Sequence, residues 1–267
     1  MTMELHNRLT LLINSCDAYS DLWEGHIALL NRNWGQRDIQ TFLVTDKTSN
    51  RSFSNVDILS AGPTKELPQR LLYALDRVNT PYVLLTLDDY YPVYPIDENR
   101  IARLLNIMDE LKLDYIRLFK RPKARRHIDG YPDLFWIDLD GNYRVNLYAG
   151  IWNVDFLKST IDQSLNAWQY EVTLTNKAKE YGAKCALSTG HEFDTLDVIR
   201  KGKLLHKAKR YFKKDPVYTG GRDIVPLNYE AQIAVRTFIT ENCPSAFVVK
   251  LKKIMNKFGF SFYSDYQ

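Results

Sequence analysis

Tyr82-Val83-Leu84-Leu85-Thr86-Leu87-Asp88-Asp89-Tyr90-Tyr91 is an apolar, strand-like run that ends in two adjacent carboxylates. Two aspartates at the C-terminal end of a buried strand repel each other and lose hydration, so something must offset that cost. A divalent cation does so with hard oxygen ligands, taking one or two carboxylates and completing its shell with water and substrate phosphates. The competing reading is a solvated turn after a strand. The pattern on either side of the run decides between them.

Upstream, Leu9 to Asn14 is a second apolar run, followed by Ser15-Cys16-Asp17, and reads as a first buried strand ending in a polar loop. Trp23, Ile27, Leu30 and Trp34 then recur at helical spacing, with Ser20 or Asp17 as the expected cap. Ile39 to Thr45 gives a strand ending in Asp46, and Val56 to Ser60 a shorter one. Leu67, Leu71, Leu72 and Leu75 mark a helix ahead of the Asp88-Asp89 strand. Asp97 caps the next helix, whose apolar face is Ile101, Leu104, Leu105, Met108 and Leu111, and Tyr115 to Phe119 returns as a strand. This alternation predicts an α/β fold with a mostly parallel central sheet, in which ligands bind beyond the carboxyl ends of the strands. Asp17, Asp46 and Asp88-Asp89 all fall at such ends.

The pattern changes after residue 120. Leu134 to Leu139 and Tyr143 to Tyr148, joined by Asp140-Gly141, read as an inserted β-hairpin, because Asp-Gly supplies the positive φ of a tight turn. Helices are expected over 154–163 and 168–181, and a strand over 184–188. Residues 1–205 are expected to form the main domain and 206–267 a basic helical extension. Within that extension Phe247, Val248, Leu251, Ile254, Met255 and Phe258 share one helical face, with Lys250, Lys252, Lys253 and Lys257 toward the others. Such a stripe suits an anionic membrane surface or packing against the main domain.

At 267 residues with 45% hydrophobic content the chain can bury a sizeable core, and global disorder is not expected. Three cysteines without paired spacing point to a reducing compartment. No signal-peptide pattern opens the sequence, and no run reaches the roughly 18 to 20 apolar residues of a membrane span. The expected location is therefore cytoplasmic, including the inner face of the cell membrane. Between Arg200 and Lys214 the chain carries eight Lys or Arg and no acid, which suits an anionic partner. No nucleic-acid reader motif accompanies that stretch, so no nucleic-acid partner is expected. Neither a Walker loop nor G-x-G-x-x-G occurs, and there is no zinc-type H-E-x-x-H or G-x-S-x-G elbow.

Three motifs together resemble a known group. They are Ser15-Cys16-Asp17-Ala18-Tyr19-Ser20-Asp21-Leu22-Trp23, the Tyr82–Tyr91 run, and a third series. That series passes from Tyr143-Arg144 through Gly150-Ile151-Trp152 to Ala167-Trp168-Gln169-Tyr170-Glu171, then to Arg200-Lys201-Gly202-Lys203. Over residues 10 to about 205 the chain resembles bacterial glycosyltransferases of the GT-A (Rossmann-like) fold that act in surface polysaccharide synthesis. Their metal motif is Asp-x-Asp, whereas Leu87-Asp88-Asp89 stands here. The resemblance implies a nucleotide-sugar donor, a glycan or lipid-linked glycan acceptor, and Mn2+ or Mg2+ at Asp88 and Asp89. His191 is a further candidate metal ligand, although a lone His is more often structural. The resemblance places Glu171 as the base on the acceptor hydroxyl, and an apolar surround of Trp168 and Tyr170 would raise its basicity. Ser15, Asp17 and Tyr19 are expected on the nucleotide, with Asp46 beside them. Lys201 and Lys203 are expected on the diphosphate, and Trp152 against an acceptor sugar. Asp17 serves at least equally as a helix cap; Trp152 follows the small residues Ala149-Gly150, which let a ligand approach the backbone, but a Trp in such a place is more often core. A non-catalytic glycan-binding scaffold, or a phosphatase of the haloacid dehalogenase type, are the rival readings; the latter requires Asp-x-Asp.

Overall fold

The computed structural model describes residues 4–242 other than 64 and 219. The strands are β1 (Leu9–Asn14), β2 (Thr41–Thr45), β3 (Asp57–Ser60), β4 (Tyr82–Leu87), β5 (Tyr90–Pro92), β6 (Tyr115–Arg117), β7 (Arg126–Ile128), β8 (Tyr131–Trp136), β9 (Gly150–Asn153), β10 (Cys185–Ser188), β11 (Thr195–Asp197), β12 (Ile199–Arg200) and β13 (Lys203–Leu204). The α-helices are α1 (Trp23–Asn33), α2 (Leu67–Leu75), α3 (Glu98–Leu111), α4 (Val154–Thr160), α5 (Ala167–Tyr181), α6 (His206–Lys214) and α7 (Leu227–Asn242).

Nine strands form one sheet in the order β3-β2-β1-β4-β9-β6-β10-β8-β7. β1 pairs in parallel with both β2 and β4, while β9 is inserted antiparallel between β4 and β6. Only β8 and β9 run against the common direction, so the sheet is mostly parallel, as expected.

Every residue of β1 is buried, because helices cover both faces of the sheet. Leu9, Leu11 and Ile13 face α1 and α3, meeting Trp23, Ile27, Leu104 and Met108. Leu12, Val83 and Leu85 face the other way, toward Leu71 of α2, Phe156 of α4 and Leu174 of α5. Alternation along two continuous apolar strands thus serves two cores. A third cluster joins Leu22, Leu29 and Tyr91 to Ile199, Leu205, Phe212 and Val225, seating the segment after β11 against α1 and β5.

Asp97 caps α3 by accepting from the Asn99 amide, as its sequence predicts. Neither Ser20 nor Asp17 caps α1. A 3-10 turn over Asp17–Leu22 runs directly into that helix, so its first amides are already inside a helical segment and no side-chain cap forms. The helix α5 has a complete capping box, Asn166 accepting from the Gln169 amide and Gln169 from that of Asn166, and it ends on Gly182 at φ 73°. Removing that box with Asn166→Ala should cost about 1 kcal/mol, read as a shift in urea midpoint at constant slope.

The expected hairpin over 134–148 does not form. Gly141 does turn the chain, at φ 119°, but the residues after it are not a strand. Their backbone donors are taken by α5 instead: Thr175 Oγ1 accepts from the Arg144 and Val145 amides, and Glu171 Oε1 from that of Leu147. The hairpin lies earlier, β7 to β8, around Asp129-Gly130 with Gly130 at φ 82°. The same Asp-Gly chemistry operates there, hidden by a basic rather than alternating first strand.

Among the described residues no helix is long and apolar enough to cross a membrane. The apolar stripe from Phe247 to Phe258 lies outside the described residues.

Candidate active site

Asp88 and Asp89 are the two turn residues between β4 and β5. Asp88 is buried and accepts a hydrogen bond from Ser15 Oγ at the end of β1. Ser15 Oγ in turn accepts from Trp23 Nε1 at 2.6 Å, which fixes its rotor. Beneath the turn, His26 Nδ1 lies 3.0 Å from the Asp88 carbonyl oxygen. Burial pushes His26 down to about 4, so the ring is neutral and its Nδ1–H donates.

The cost of this burial shows in the acids. Burial raises Asp88 to about 7 against the opposing Ser15 hydrogen bond and the charges of Arg222 and Arg70. Asp89 is raised well above the ordinary range by burial first, then by the negative charges of Asp88 and Asp197, with Arg200 opposing. Asp197 reaches this position because β11 pairs with β5, setting it opposite Tyr90, while the Val198 amide donates to the Asp89 carbonyl at 2.9 Å. Arg200 Nη2 donates to Asp197 Oδ2 at 2.7 Å. Asp89 Oδ1, Asp197 Oδ1 and Arg200 Nε are buried without a hydrogen-bond partner.

Glu171, in the second turn of α5, belongs to the same electrostatic neighbourhood. Burial raises its pKa, while the Leu147 amide at 3.4 Å and Arg200 pull it down. Tyr148 is influenced by both Glu171 and Arg200, and its ring packs edge-on against Tyr90 with centroids 5.4 Å apart. The charge of Arg200 therefore acts on both Asp89 and Glu171.

The first loop stands beside this centre. Asp46 Oδ1 accepts from the Asp17 amide at 2.6 Å. Burial alone would raise Asp46, but that amide, its own amide and Arg70 outweigh it and hold the acid low. The Asp17 carboxylate accepts from Lys47 at 2.8 Å. Tyr19 is faced by the Arg222 guanidinium, 4.5 Å from the ring centroid, and Arg222 also holds Asp21 and the Ala18 carbonyl. Lys201 stands over the Tyr229 ring at 5.1 Å and Lys203 pairs with Asp223 at 3.5 Å. With Arg200, these two lysines line a cavity of about 510 Å3.

Two expected residues lie elsewhere. Trp152 is fully buried in the α4 and α5 core, 4.2 Å from the Tyr115 ring and 5.8 Å from Phe156, with no face open to a sugar. Its neighbour Gly150 is small because the Tyr115 ring occupies the space, 2.6 Å from where a Cβ would sit. His191 has both ring nitrogens engaged, Nδ1 with Asp194 at 2.5 Å and Nε2 with Lys120 at 2.7 Å, so no lone pair is left for a metal.

The donor set suits Mg2+ or Mn2+: hard carboxylate oxygens, two of them buried and unpartnered. Among the described residues no three His, Cys, Asp or Glu side chains surround a common position. The protein would therefore supply one or two carboxylates, Asp89 foremost, and leave the remaining coordination to water and phosphate.

Asp197, Arg222 and Arg70 join this site from outside the motifs, and Arg200, which opens the Arg200-Lys201-Gly202-Lys203 motif, joins it in a role that the motif does not specify. Arg70 and Asp197 have one hint each, a charged residue within an apolar helical face and an acid just ahead of a basic run.

No protein-family profile matches the chain, and no curated protein sequence matches it. Among solved structures, the mannosyltransferase PcManGT from Pyrobaculum calidifontis, in complex with GDP-Man and Mn2+, is similar over 87% of this chain and 69% of its own, at 11% identity and a TM-score of 0.50. S. aureus TarS 1-349 is similar over 70% of this chain and 59% of its own, at 13% identity and a TM-score of 0.47. Its complex with UDP matches over 95% and 72%, at 14% identity and the same TM-score. The chain spans 59% of the first of these TarS structures and 43% of a longer one. The likeness to PcManGT shows the fold, a GT-A-like α/β sheet flanked by helices.

Proposed function

We propose that this chain transfers a sugar from a nucleotide-sugar donor to a glycan or lipid-linked glycan acceptor, with inversion and with a divalent cation, in bacterial surface polysaccharide synthesis. The observation that carries the reading is the buried, unpartnered Oδ1 of Asp89, raised further by the charges of Asp88 and Asp197 and opposed by the charge of Arg200, which also acts on Glu171. Acids at this cost are retained where a cationic ligand is to be held. The fold neighbour solved with GDP-Man and Mn2+ supports the same donor class.

In this reading Tyr19, Asp17 and Asp46 hold the nucleoside, with Arg222 leaving or sharing the Tyr19 face. Arg200, Lys201 and Lys203 offset the diphosphate charge. A cation held by Asp88 and Asp89 would supply further stabilisation of the departing diphosphate. Glu171 takes the acceptor hydroxyl proton as the acceptor oxygen bonds to the anomeric carbon and the carbon–diphosphate bond breaks. The displacement occurs from the opposite face and therefore inverts. A lipid-linked acceptor would place the protein on the inner face of the cell membrane.

Calorimetric titration with a panel including UDP-GlcNAc and GDP-mannose tests this. Binding of at least one donor should weaken about tenfold or more on removing Mn2+ and Mg2+ with EDTA, and equally in Asp89→Asn. A binding curve unmoved by either change would refute the metal-assisted donor site.

A further inference from the structure

Residues 120–127, Lys-Arg-Pro-Lys-Ala-Arg-Arg-His, carry five Lys or Arg in eight positions and no acid. The segment leaves β6 and enters β7, and Lys120, Lys123, Arg125 and Arg126 are exposed. Neither Lys123 nor Arg125 forms an ion pair among the described residues. At the root of this segment lies a cavity of about 220 Å3, separate from the one beside Lys201. Tyr94, Phe119 and Phe193 give it aromatic walls, and Lys120, Asp194 and Thr195 give it polar ones. Tyr94 is 61% exposed, an unusual degree for a tyrosine. His191, held by Asp194 and accepting from Lys120, fixes the lysine at the rim.

The cavity adjoins the candidate active site through one ring. Phe119 on its wall packs on Tyr148 with centroids 4.3 Å apart, and Tyr148 lies against Tyr90 and within the field of Glu171. Thr195 belongs to the same short strand as Asp197.

We infer that this cavity and the basic segment bind the acceptor, and that the acceptor is an anionic saccharide chain, one ring seated on the aromatic walls and its flanking phosphate, sulfate or carboxylate groups on Lys123, Arg125 and Arg126. Naming it the acceptor rests on the transferase reading; the binding does not. The cavity is smaller than a drug-sized pocket and suits a unit the size of one sugar ring. Its own carboxylate, Asp194, accepts hydroxyl protons but repels a bare anion, so the ligand needs neutral hydroxyls there and negative charge beyond. A membrane surface fits worse. Interfacial segments carry bulky apolar side chains among their cations, whereas Pro122 and Ala124 are what separate these.

The test uses the full chain and fluorescein-labelled dextran sulfate, neutral dextran, inorganic polyphosphate, and phosphatidylglycerol–phosphatidylcholine vesicles. Dextran sulfate should bind at least about tenfold more tightly than neutral dextran, and Lys123→Glu with Arg125→Glu should weaken it about tenfold and flatten its salt dependence. Tyr94→Ala should weaken dextran sulfate several-fold and leave polyphosphate unchanged, with circular dichroism confirming both variants folded. Equal effects of Tyr94→Ala on both polyanions, no effect of the charge reversal, or vesicle binding tighter than dextran sulfate would overturn the inference. Donor and dextran sulfate titrations on the native protein separate the two readings. Saccharide binding without any nucleotide-sugar binding would defeat the transferase and keep this surface, and the reverse result would do the opposite.

Discussion

Glu171→Gln should lower the transfer rate by about 10²- to 10⁴-fold while leaving donor affinity within about twofold. Glutamine keeps the size of the side chain and an oxygen for the Leu147 amide, so the loop after Gly141 stays in place. What it removes is the proton acceptor. Burial holds Glu171 above the usual carboxylate range, which makes it a stronger base than a solvated glutamate. The base must be ionised to act, so kcat/KM should rise with pH through that elevated pKa, and the acid limb should lie above the ordinary carboxylate position. The limb should disappear in Glu171→Gln. A variant that keeps more than about a tenth of the rate, with the limb intact, would move the base elsewhere.

Much of this arrangement is legible in the chain because it is local. β1 and β4 are continuous apolar runs, and a run with no polar face has to be covered on both sides. The positions of Asp17, Asp46 and Asp88-Asp89 follow once each strand end is found. Asp97 is readable as a cap because its partner amide is two residues away. Arg200 is different. It sits in a strand of two residues, and its charge acts on Asp89 and Glu171 only because β11, three residues long, pairs with β5. Neither strand has enough length to show a period. Arg222 meets Asp21 and Tyr19 from a segment near the far end of the described chain, a contact that no spacing encodes. Trp152 shows the converse failure. Ala149 and Gly150 ahead of it are small enough for a ligand to approach, yet Gly150 makes room for the Tyr115 ring, and composition alone does not distinguish a ligand from a neighbouring side chain. The hairpin error has the same origin: side chains of α5 compete for backbone donors that the local pattern assigns to a strand.

The second large effect is a gain. Asp88→Asn should stabilise the protein by about 2 kcal/mol at pH 8, an increase of roughly 4–8 °C in Tm, while weakening donor binding by about tenfold or more. Asp88 is only 6% exposed, and burial raises it to about 7, above the unfolded value. A group with its folded pKa raised adds stability that is complete below the unfolded pKa and is lost as pH rises through the folded pKa. The native protein should therefore lose stability between about pH 4 and 7 on this account, and the neutral amide should not. The two proteins should differ least near pH 4 and most above pH 7. The loss of counter-charge to Arg70 and Arg222 keeps the gain below the full value that the shift implies. Asparagine still accepts from Ser15 Oγ, so the packing of the turn survives. Adding MnCl2 with a bound donor should raise the Tm of the native protein and move that of Asp88→Asn much less, since ligand binding to the folded state is what stabilises it. If Asp88→Asn is instead less stable at pH 8 than the native protein, Asp88 is a structural partner of the two arginines, and the acid pair loses its claim to a cation.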